Sequence, residues 1–291
     1  MNYDIIVPVT ERNFQMLSSV VSHLRKNVSH RNIFLLGQRA LQEKCSALGC
    51  KFIDENRLYG KLDYNAVREL TVRRDCYAGW RAGWYLQQFL KMSYSLVCSD
   101  EYYLVWDADT IPVRKIRMFD DEDIPYFDIS GEYNRPYFTT LNKVFAYRVK
   151  KSNQYSYISE HMIIKTEYMR KLIFEIEENQ MLEGKYYFEK IMNSICEIDL
   201  MHSGFSEFET YGNYVDTYYP GKYKIRRLKA LRTGDRYLHH PPTESEIRWA
   251  AASYDIVTME NRQNMYSNVA NRMDELMENY SLEEVVSKYG N

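Results

Sequence analysis

Two aspartates one residue apart, Asp107 and Asp109, follow directly on the apolar and aromatic run Tyr102-Tyr103-Leu104-Val105-Trp106. In an extended backbone, residues i and i+2 project to the same side. The two carboxylates would then stand side by side at a strand end and repel each other. A hard divalent cation with oxygen ligands, Mg²⁺ or Mn²⁺, relieves that repulsion. Aspartate is also common in turns, and Pro112 supports a turn here. A second group with chemical potential is Trp84, Gln88 and Lys91, spaced i, i+4 and i+7 so that they share one helix face. A ring, an amide and an ammonium on one face suit a base, a ribose and a phosphate; a core tryptophan with a solvated lysine is the plainer reading. Late in the chain, Arg226, Arg227, Arg232 and Arg236 offer planar guanidinium groups that match phosphate. His161 and Glu160 precede an apolar segment, and the plainer reading makes the histidine structural and the glutamate a surface residue.

The elements that must position these groups follow from periodicity. Tyr3 to Val9 reads as a buried strand, and Glu11 to Lys26 carries helically spaced apolar residues. Arg31 to Leu36 is a second strand, Ala40 to Leu48 a short helix, and Gly49 to Asp54 a third strand. This alternation implies a parallel sheet with right-handed crossovers, whose ligands sit at the carboxyl ends of the strands. Thr10 stands at such an end; it also suits a helix N-cap. Glu55 to Asn65 reads as a polar loop, Ala66 to Leu96 as mostly helical, and Tyr102 to Trp106 as a buried central strand. Arg114 to Phe119 and Pro125 to Ser130 read as strands, Thr139 to Val149 as weakly β-like, and Ile158 to Ile164 as a loop entering a strand. Helices are expected from Thr166 to about Glu178, from Lys185 to Cys196 and, as one acidic amphipathic element suited to packing or dimer formation, from Asn271 to Tyr289. Ser206 resembles an N-cap with Glu209 at the capping-box position, and Glu207 opens the same helix with no such duty. Tyr254 to Met259 is the last expected strand.

Composition narrows the function classes. The chain of 291 residues is 45% hydrophobic, enough for a substantial core. Lys and Arg number 38 against 40 Asp and Glu, a net −2, which gives no reason to expect nucleic acid as a partner. Tyrosine is abundant at 27, against 12 phenylalanines, and combines a flat face with a hydroxyl suited to stacking on sugars or bases. Five cysteines without a C-x-x-C pair argue against a disulfide framework and a zinc site, and suggest reduced thiols in the cytoplasm. The amino terminus lacks a basic, then apolar, signal pattern, and no apolar run approaches the ~20 residues of a membrane span. Peripheral contact with the inner membrane face stays open.

The segment Trp106-Asp107-Ala108-Asp109 after an apolar strand resembles the Asp-X-Asp motif of GT-A-type glycosyltransferases. The wider chain resembles a group of bacterial GT-A-like proteins associated with surface-polysaccharide synthesis. The matching stretches are Ile5 to Thr10, Gly83 to Lys91, the aspartate motif, and Ser206-Glu207-Phe208-Glu209-Thr210-Tyr211-Gly212. The resemblance implies an α/β fold of GT-A-like (Rossmann-like) type, with a mixed, mainly parallel central sheet flanked by helices. It implies one catalytic domain over 1–291: a nucleotide-binding half to 110, an acceptor-facing half over 111–260, and a C-terminal helical segment over 261–291. It further implies that Asp107 and Asp109 hold Mn²⁺ or Mg²⁺ against the diphosphate of a nucleotide sugar. Trp106, Asp107, Thr10, Gln88 and Lys91 are then the donor-contact candidates. A late histidine, His239 or His240, would be a further metal ligand or an ordinary residue before the Pro241-Pro242 turn. The Ser206 to Gly212 segment would line the acceptor side, where an inverting enzyme needs a base; Glu207 is the first candidate and Glu209 the second.

The expected activity is transfer of a sugar, from a UDP-sugar by preference, to a hydroxyl of a glycan or lipid-linked acceptor. Two rivals remain at this stage. A nucleotidyltransferase also uses paired aspartates, but Pro8-Val9-Thr10-Glu11-Arg12 lacks the glycine-rich turn such enzymes show. A non-catalytic carbohydrate-binding or assembly subunit could share the fold.

Overall fold

The computed structural model describes residues 2–260 and 264–290; residues 261–263 and 291, which fall in the expected C-terminal segment, lie outside the described residues. Strands β1 (Asp4–Pro8), β2 (Ile33–Gly37) and β3 (Lys51–Asp54) alternate with α1 (Phe14–Asn27) and α2 (Gln42–Ala47). Then come α3 (Glu55–Leu58), α4 (Tyr64–Arg74), α5 (Ala82–Val97), β4 (Tyr102–Trp106) and β5 (Thr110–Pro112). The next part holds β6 (Tyr126–Asp128), α6 (Arg135–Val144), β7 (His161–Lys165), α7 (Thr166–Glu178), α8 (Tyr187–Ser194) and α9 (Glu207–Tyr218). It is followed by β8 (Lys224–Arg226), β9 (Ala230–Leu231), α10 (Glu244–Ser253), β10 (Ile256–Thr258), α11 (Ser267–Ala270), α12 (Met273–Asn279) and α13 (Leu282–Tyr289).

The fold is α/β, with a mixed, mainly parallel central sheet flanked by helices. That sheet runs β3-β2-β1-β4-β7, with parallel pairing from β3 to β4 and β7 antiparallel at the edge. Every residue of β1 and β4 is buried, as expected of parallel strands covered on both faces. The chain leaves β1 toward β2 on one side and reaches β4 on the other. The carboxyl ends of β1 and β4 therefore flank the point where strand order reverses, and a crevice opens there. Two smaller sheets, β5-β10-β9 and β6-β8, accompany it among the described residues.

Tyrosine is a core residue in this fold more than a surface one. Tyr103 on β4 is fully buried and donates to the carbonyl of Lys91 at 3.0 Å, pinning α5 to the sheet. Tyr187 donates to the carbonyl of Phe89 at 2.8 Å, and the hydroxyls of Tyr211 and Tyr223 meet at 2.8 Å. Each ring fills the interior while its hydroxyl finds a partner there.

Several expected elements differ. Residues 55–65 are not a loop throughout: Asp54 accepts from the Asn56 N–H and starts α3, and Asp63 accepts from the Ala66 N–H and starts α4. The segment expected as a strand at Arg114 to Phe119 makes only isolated bridges, from Ile116 to Val28 and from Phe119 to Pro125. The stretch around Thr139 is α6: Pro136 sits in its first turn, and Phe138, Leu141 and Val144, one helical face, are buried. The last helix is broken into α11, α12 and α13, the final break at Tyr280-Ser281, where the Ser281 hydroxyl accepts from the Glu284 N–H.

Gly212 has a packing reason. A Cβ there would lie 2.3 Å from the Tyr157 ring, so α9 approaches that ring only without a side chain. Gly212→Ala is expected to destabilise the protein by about 1–3 kcal/mol through overpacking, measured as a lowered urea midpoint with an unchanged slope.

Candidate active-site cleft

A cleft of about 750 Å³ opens at the carboxyl ends of β1 and β4. Its wall includes Thr10 after β1, Gln88 and Lys91 on α5, Asp107 and Asp109 after β4, and Glu207 at the start of α9. The aspartates do not lie in an extended strand. β4 ends at Trp106, and the Thr110 N–H donates to the Asp107 carbonyl at 3.2 Å, closing a tight turn over 107–110. Both carboxylates nevertheless line the cleft.

The wall is built around Lys91. Its ammonium lies 2.6 Å from Asp107 Oδ1 and 2.7 Å from Glu207 Oε1, with the Phe208 ring centroid 4.5 Å away. Lys91 and Glu207 are each only 4% exposed. The strand alternation that places Tyr103 toward α5 places Asp107 there too. Gln88 Oε1 accepts from the Glu207 N–H at 3.3 Å, and the Ser206 hydroxyl accepts from the Glu209 N–H at 3.2 Å, so α9 begins against α5. The two neighbouring carboxylates keep Lys91 protonated against its burial, which alone would lower its pKa. Burial pushes the Glu207 carboxyl up, and Lys91 opposes that shift.

Two further acids complete the site. Glu160 immediately precedes β7, and its carbonyl accepts from the Asp107 N–H at 2.9 Å. Its φ of 58° is a left-handed conformation unusual for a residue with a side chain. Glu260 follows β10, where the Met259 N–H donates to the Asp109 carbonyl at 2.8 Å. Arg232 reaches Glu160 Oε1 with its Nε at 2.6 Å and also pairs with Glu132. Burial, then the charges of Asp107 and Glu260, raise Asp109 to about 7. Burial, then Asp107, Asp109 and Glu260, raise Glu160 to about 8.

Among the described residues, no group of three or more His, Cys, Asp or Glu side chains is arranged to hold a metal by itself. Asp107 and Asp109 are hard oxygen donors in an acid-rich place. They fit Mg²⁺ or Mn²⁺ shared with the phosphate oxygens of a ligand, the usual mode for such ions at phosphate sites.

Four expected site residues lie elsewhere. Trp106 does not reach the cleft: alternation turns it to the opposite face, where it is fully buried, packs tilted against His161 with ring centroids 4.7 Å apart and donates to the Thr110 carbonyl at 2.7 Å. Glu209 is buried away from the cleft. It accepts from the Ser156 hydroxyl, the Tyr157 N–H and Asn213, fastening the 156–157 segment to α9 and forming no reciprocal capping box. His239 packs on α10, its Nδ1 2.9 Å from Glu246 Oε1, and His240 is beside it; neither lines the cleft. Of the four arginines, only Arg232 does; Arg226 forms a fork on Asp128, which also holds the buried His161. Sequence reading left Glu160 as a surface residue and passed over Glu132 and Glu260. The available signal was an acid adjoining a short apolar strand, the same signal that marks Asp107.

No family model matches the chain, and no curated protein matches it in sequence. Solved structures of glycosyltransferases are similar to it. The apo form of mouse xyloside xylosyltransferase 1 is 13% identical over 91% of this chain and 100% of that chain, with a TM-score of 0.47. The galactosyltransferase LgtC, in complex with donor and acceptor sugar analogs, is 11% identical over 96% of each chain, with a TM-score of 0.38. The glycosyltransferase GlyE of Streptococcus pneumoniae TIGR4 is 13% identical over 97% of this chain and 60% of that chain, also with a TM-score of 0.38. At these distances no residue role passes from those proteins to this one.

Two outcomes are expected. Asp109 and Glu160 have folded pKa values above the ordinary carboxylate range of about 4, so the folded chain binds protons more readily than the unfolded one. Their contribution to stability is therefore lost as pH rises from there through about 7 and 8. In chelator, Asp109→Asn should raise the melting temperature over the native chain by a few degrees at pH 8 and change it little at or below pH 4, read by thermal scans. Lys91→Met strands two carboxylates and should cost about 3–5 kcal/mol, with part recovered when Glu207→Gln is added, read by urea unfolding.

Proposed function

We propose that this chain is a divalent-metal-dependent glycosyltransferase. It takes a sugar from a nucleoside diphosphate, UDP by preference, and passes it to a hydroxyl of a glycan or lipid-linked acceptor. The observation that carries this reading is the Asp107–Asp109 turn, placed where the sheet reverses its strand order and opening into a cleft large enough for a nucleotide sugar. Acids outnumber bases along that cleft by eight to three, so a bare diphosphate would be repelled.

Asp107 and Asp109 would hold the cation, with Glu160 and Glu260 adding negative charge around it. Bound there, a divalent cation would supply neutralisation of the charge that develops on the departing diphosphate. Thr10, exposed after β1, offers its hydroxyl to the nucleotide. Lys91, 2.6 Å from Asp107 Oδ1, orients that carboxylate. Gln88 acts through α9, whose first N–H it accepts. Glu207 stands on the cleft wall with one oxygen on Lys91, and in an inverting transfer we assign it the acceptor's proton.

The resemblance of the sequence supports a role in bacterial surface-polysaccharide synthesis at the inner membrane face. Among the described residues, no helix is long and apolar enough to cross a membrane.

Isothermal titration with UDP, GDP and CDP, each with Mn²⁺ or with chelator, tests the donor site. One diphosphate is expected to bind only with Mn²⁺, at least tenfold more weakly to Asp109→Ala. Binding of none by the folded chain would overturn the donor site. Sugar binding that survives loss of both aspartates would instead mark a non-catalytic binding subunit.

A further inference from the structure

Glu55 is a cleft carboxyl that the transfer chemistry does not use. It directly follows β3 as the first residue of α3, it lines the cleft, and it is only 7% exposed. Its neighbour Asp54 is occupied, accepting from the Asn56 N–H at 3.1 Å and lying 3.8 Å from Arg57. Among the described residues, Glu55 itself has no hydrogen bond or ion pair, and no lysine or arginine lies near enough to lower its pKa. Arg12, exposed on the same wall, does not pair with it. Burial, then the charge of Asp54, raise the Glu55 carboxyl to about 7. A carboxyl withdrawn from water with no donor facing it is unfavourable. A ligand that brings an N–H or O–H into this part of the cleft relieves that strain.

The sheet places Glu55 relative to the aspartates. Val105 stands level with Ile6, Pro8 with Leu36, and Leu36 with Ile53, so Asp107, Thr10, Gln38 and Glu55 follow their strands onto one rim. Neighbouring strands lie ~4.8 Å apart and β3 is three places from β4, which sets Glu55 ~14 Å to the side of the aspartates. The acids that raise Asp109 and Glu160 have no effect on Glu55; Asp54 is the one charge that does. Pro8, Val9, Leu36 and Leu41 line the wall at the ends of β1 and β2, an apolar surface suited to a flat base. With a diphosphate at Asp107 and Asp109, the sugar must meet Glu207, which stands 2.7 Å from Lys91 beside Asp107. Glu160 and Glu260 crowd the side of β7 and β10. The nucleoside then extends along the rim toward β3.

A nucleobase is identified by hydrogen bonds to its pairing edge. Uracil presents one N–H, at N3, between two carbonyl oxygens. A carboxyl answers that edge in either form: ionised, it accepts from N3–H; protonated, it accepts there and donates to the adjoining carbonyl. The adjacent N1–H and N2–H of guanine call for the ionised form, which burial without a cation disfavours here. We propose that Glu55 is the base-reading residue of the donor site, taking the N3–H of a uracil. The proposal rests on the glycosyl-transfer reading for the diphosphate and its uracil, and on the unpartnered carboxyl for the contact. Glu55 is a specificity residue: it selects the nucleotide and takes no part in breaking the glycosidic bond.

The test compares UDP with N3-methyl-UDP, which keeps the ring, ribose and diphosphate and lacks the N–H. In isothermal titration with Mn²⁺, the native chain is expected to bind N3-methyl-UDP roughly tenfold or more weakly than UDP. Glu55→Ala should weaken UDP by a similar factor and bind the two alike, and Glu55→Gln, which keeps an acceptor, should retain part of the preference. Neither variant loses a partner within the fold, so both should melt no lower than the native chain at pH 8. Uridine and N3-methyluridine are titrated separately, without phosphate or metal, against the ¹³C-carboxyl signal of Glu55, assigned by its absence in Glu55→Gln. Uridine is expected to move that signal and N3-methyluridine to leave it in place. Equal binding of UDP and N3-methyl-UDP, a preference that survives in Glu55→Ala, or CDP or GDP as the nucleotide bound overturns the proposal. If UDP binds only with Mn²⁺ and Glu55→Ala changes nothing, the donor site stands and the base reader falls. If no diphosphate binds yet uridine moves the Glu55 signal, the base reader stands and glycosyl transfer falls. If neither UDP nor uridine binds, both fall.

Discussion

A buried ammonium between two carboxylates holds this cleft together. Lys91 sits on α5, Asp107 directly after β4 and Glu207 at the start of α9, and the ammonium lies 2.6 and 2.7 Å from the two carboxylates. Desolvating a lysine and a glutamate is costly, and the pairing repays it only with good geometry. The geometry comes from neutral contacts nearby. Tyr103 holds the Lys91 carbonyl, Gln88 holds the first N–H of α9, and Phe208 covers the ammonium. The ion triad thus fixes the relation between the sheet edge that carries the aspartates and the helix that lines the opposite wall.

The same triad leaves the rest of the cleft short of positive charge. Lys91 answers Asp107, but Asp109, Glu160 and Glu260 crowd the neighbouring space, and Arg232 is shared between Glu160 and Glu132. Burial and mutual repulsion raise the pKa values of Asp109 and Glu160 in consequence. An acid cluster arranged this way is unfavourable in the bare protein and becomes favourable beside a cation, which is how a site can prefer its loaded state over its empty one. The left-handed φ of Glu160 belongs to the same arrangement, since its carbonyl must meet the Asp107 N–H.

Several conspicuous sequence features turn out to be scaffolding. Glu209, Tyr211 and Gly212 in the Ser206 to Gly212 stretch are packing and hydrogen-bonding residues: Glu209 ties down the 156–157 segment, Tyr211 bonds to Tyr223 and to the Lys165 N–H, and Gly212 makes room for Tyr157. Only Ser206, Glu207 and Phe208 of that stretch face the cleft. The abundant tyrosines divide likewise, many serving as core rings whose hydroxyls satisfy backbone carbonyls.

Local pattern was enough to find β1, β4, α5 and the N-cap at Ser206, because periodicity and capping are properties of neighbouring residues. It also placed Asp107, Asp109, Gln88, Lys91 and Glu207 on elements that converge, since parallel strands direct ligands to their carboxyl ends. Pattern could not say which face of β4 looks into the cleft, so Trp106 was counted in although alternation turns it to the core. Nor could it show that β7 would pair antiparallel with β4 and bring Glu160 against Asp107, or that β10 would bring Glu260 against Asp109 in place of His239 or His240. Those choices depend on strand pairings made across more than 50 and nearly 150 residues of chain. The sequence determined which residues can carry charge to a strand end; only the tertiary structure, through pairing and burial, decided which of them share one low-dielectric site and shift one another's protons.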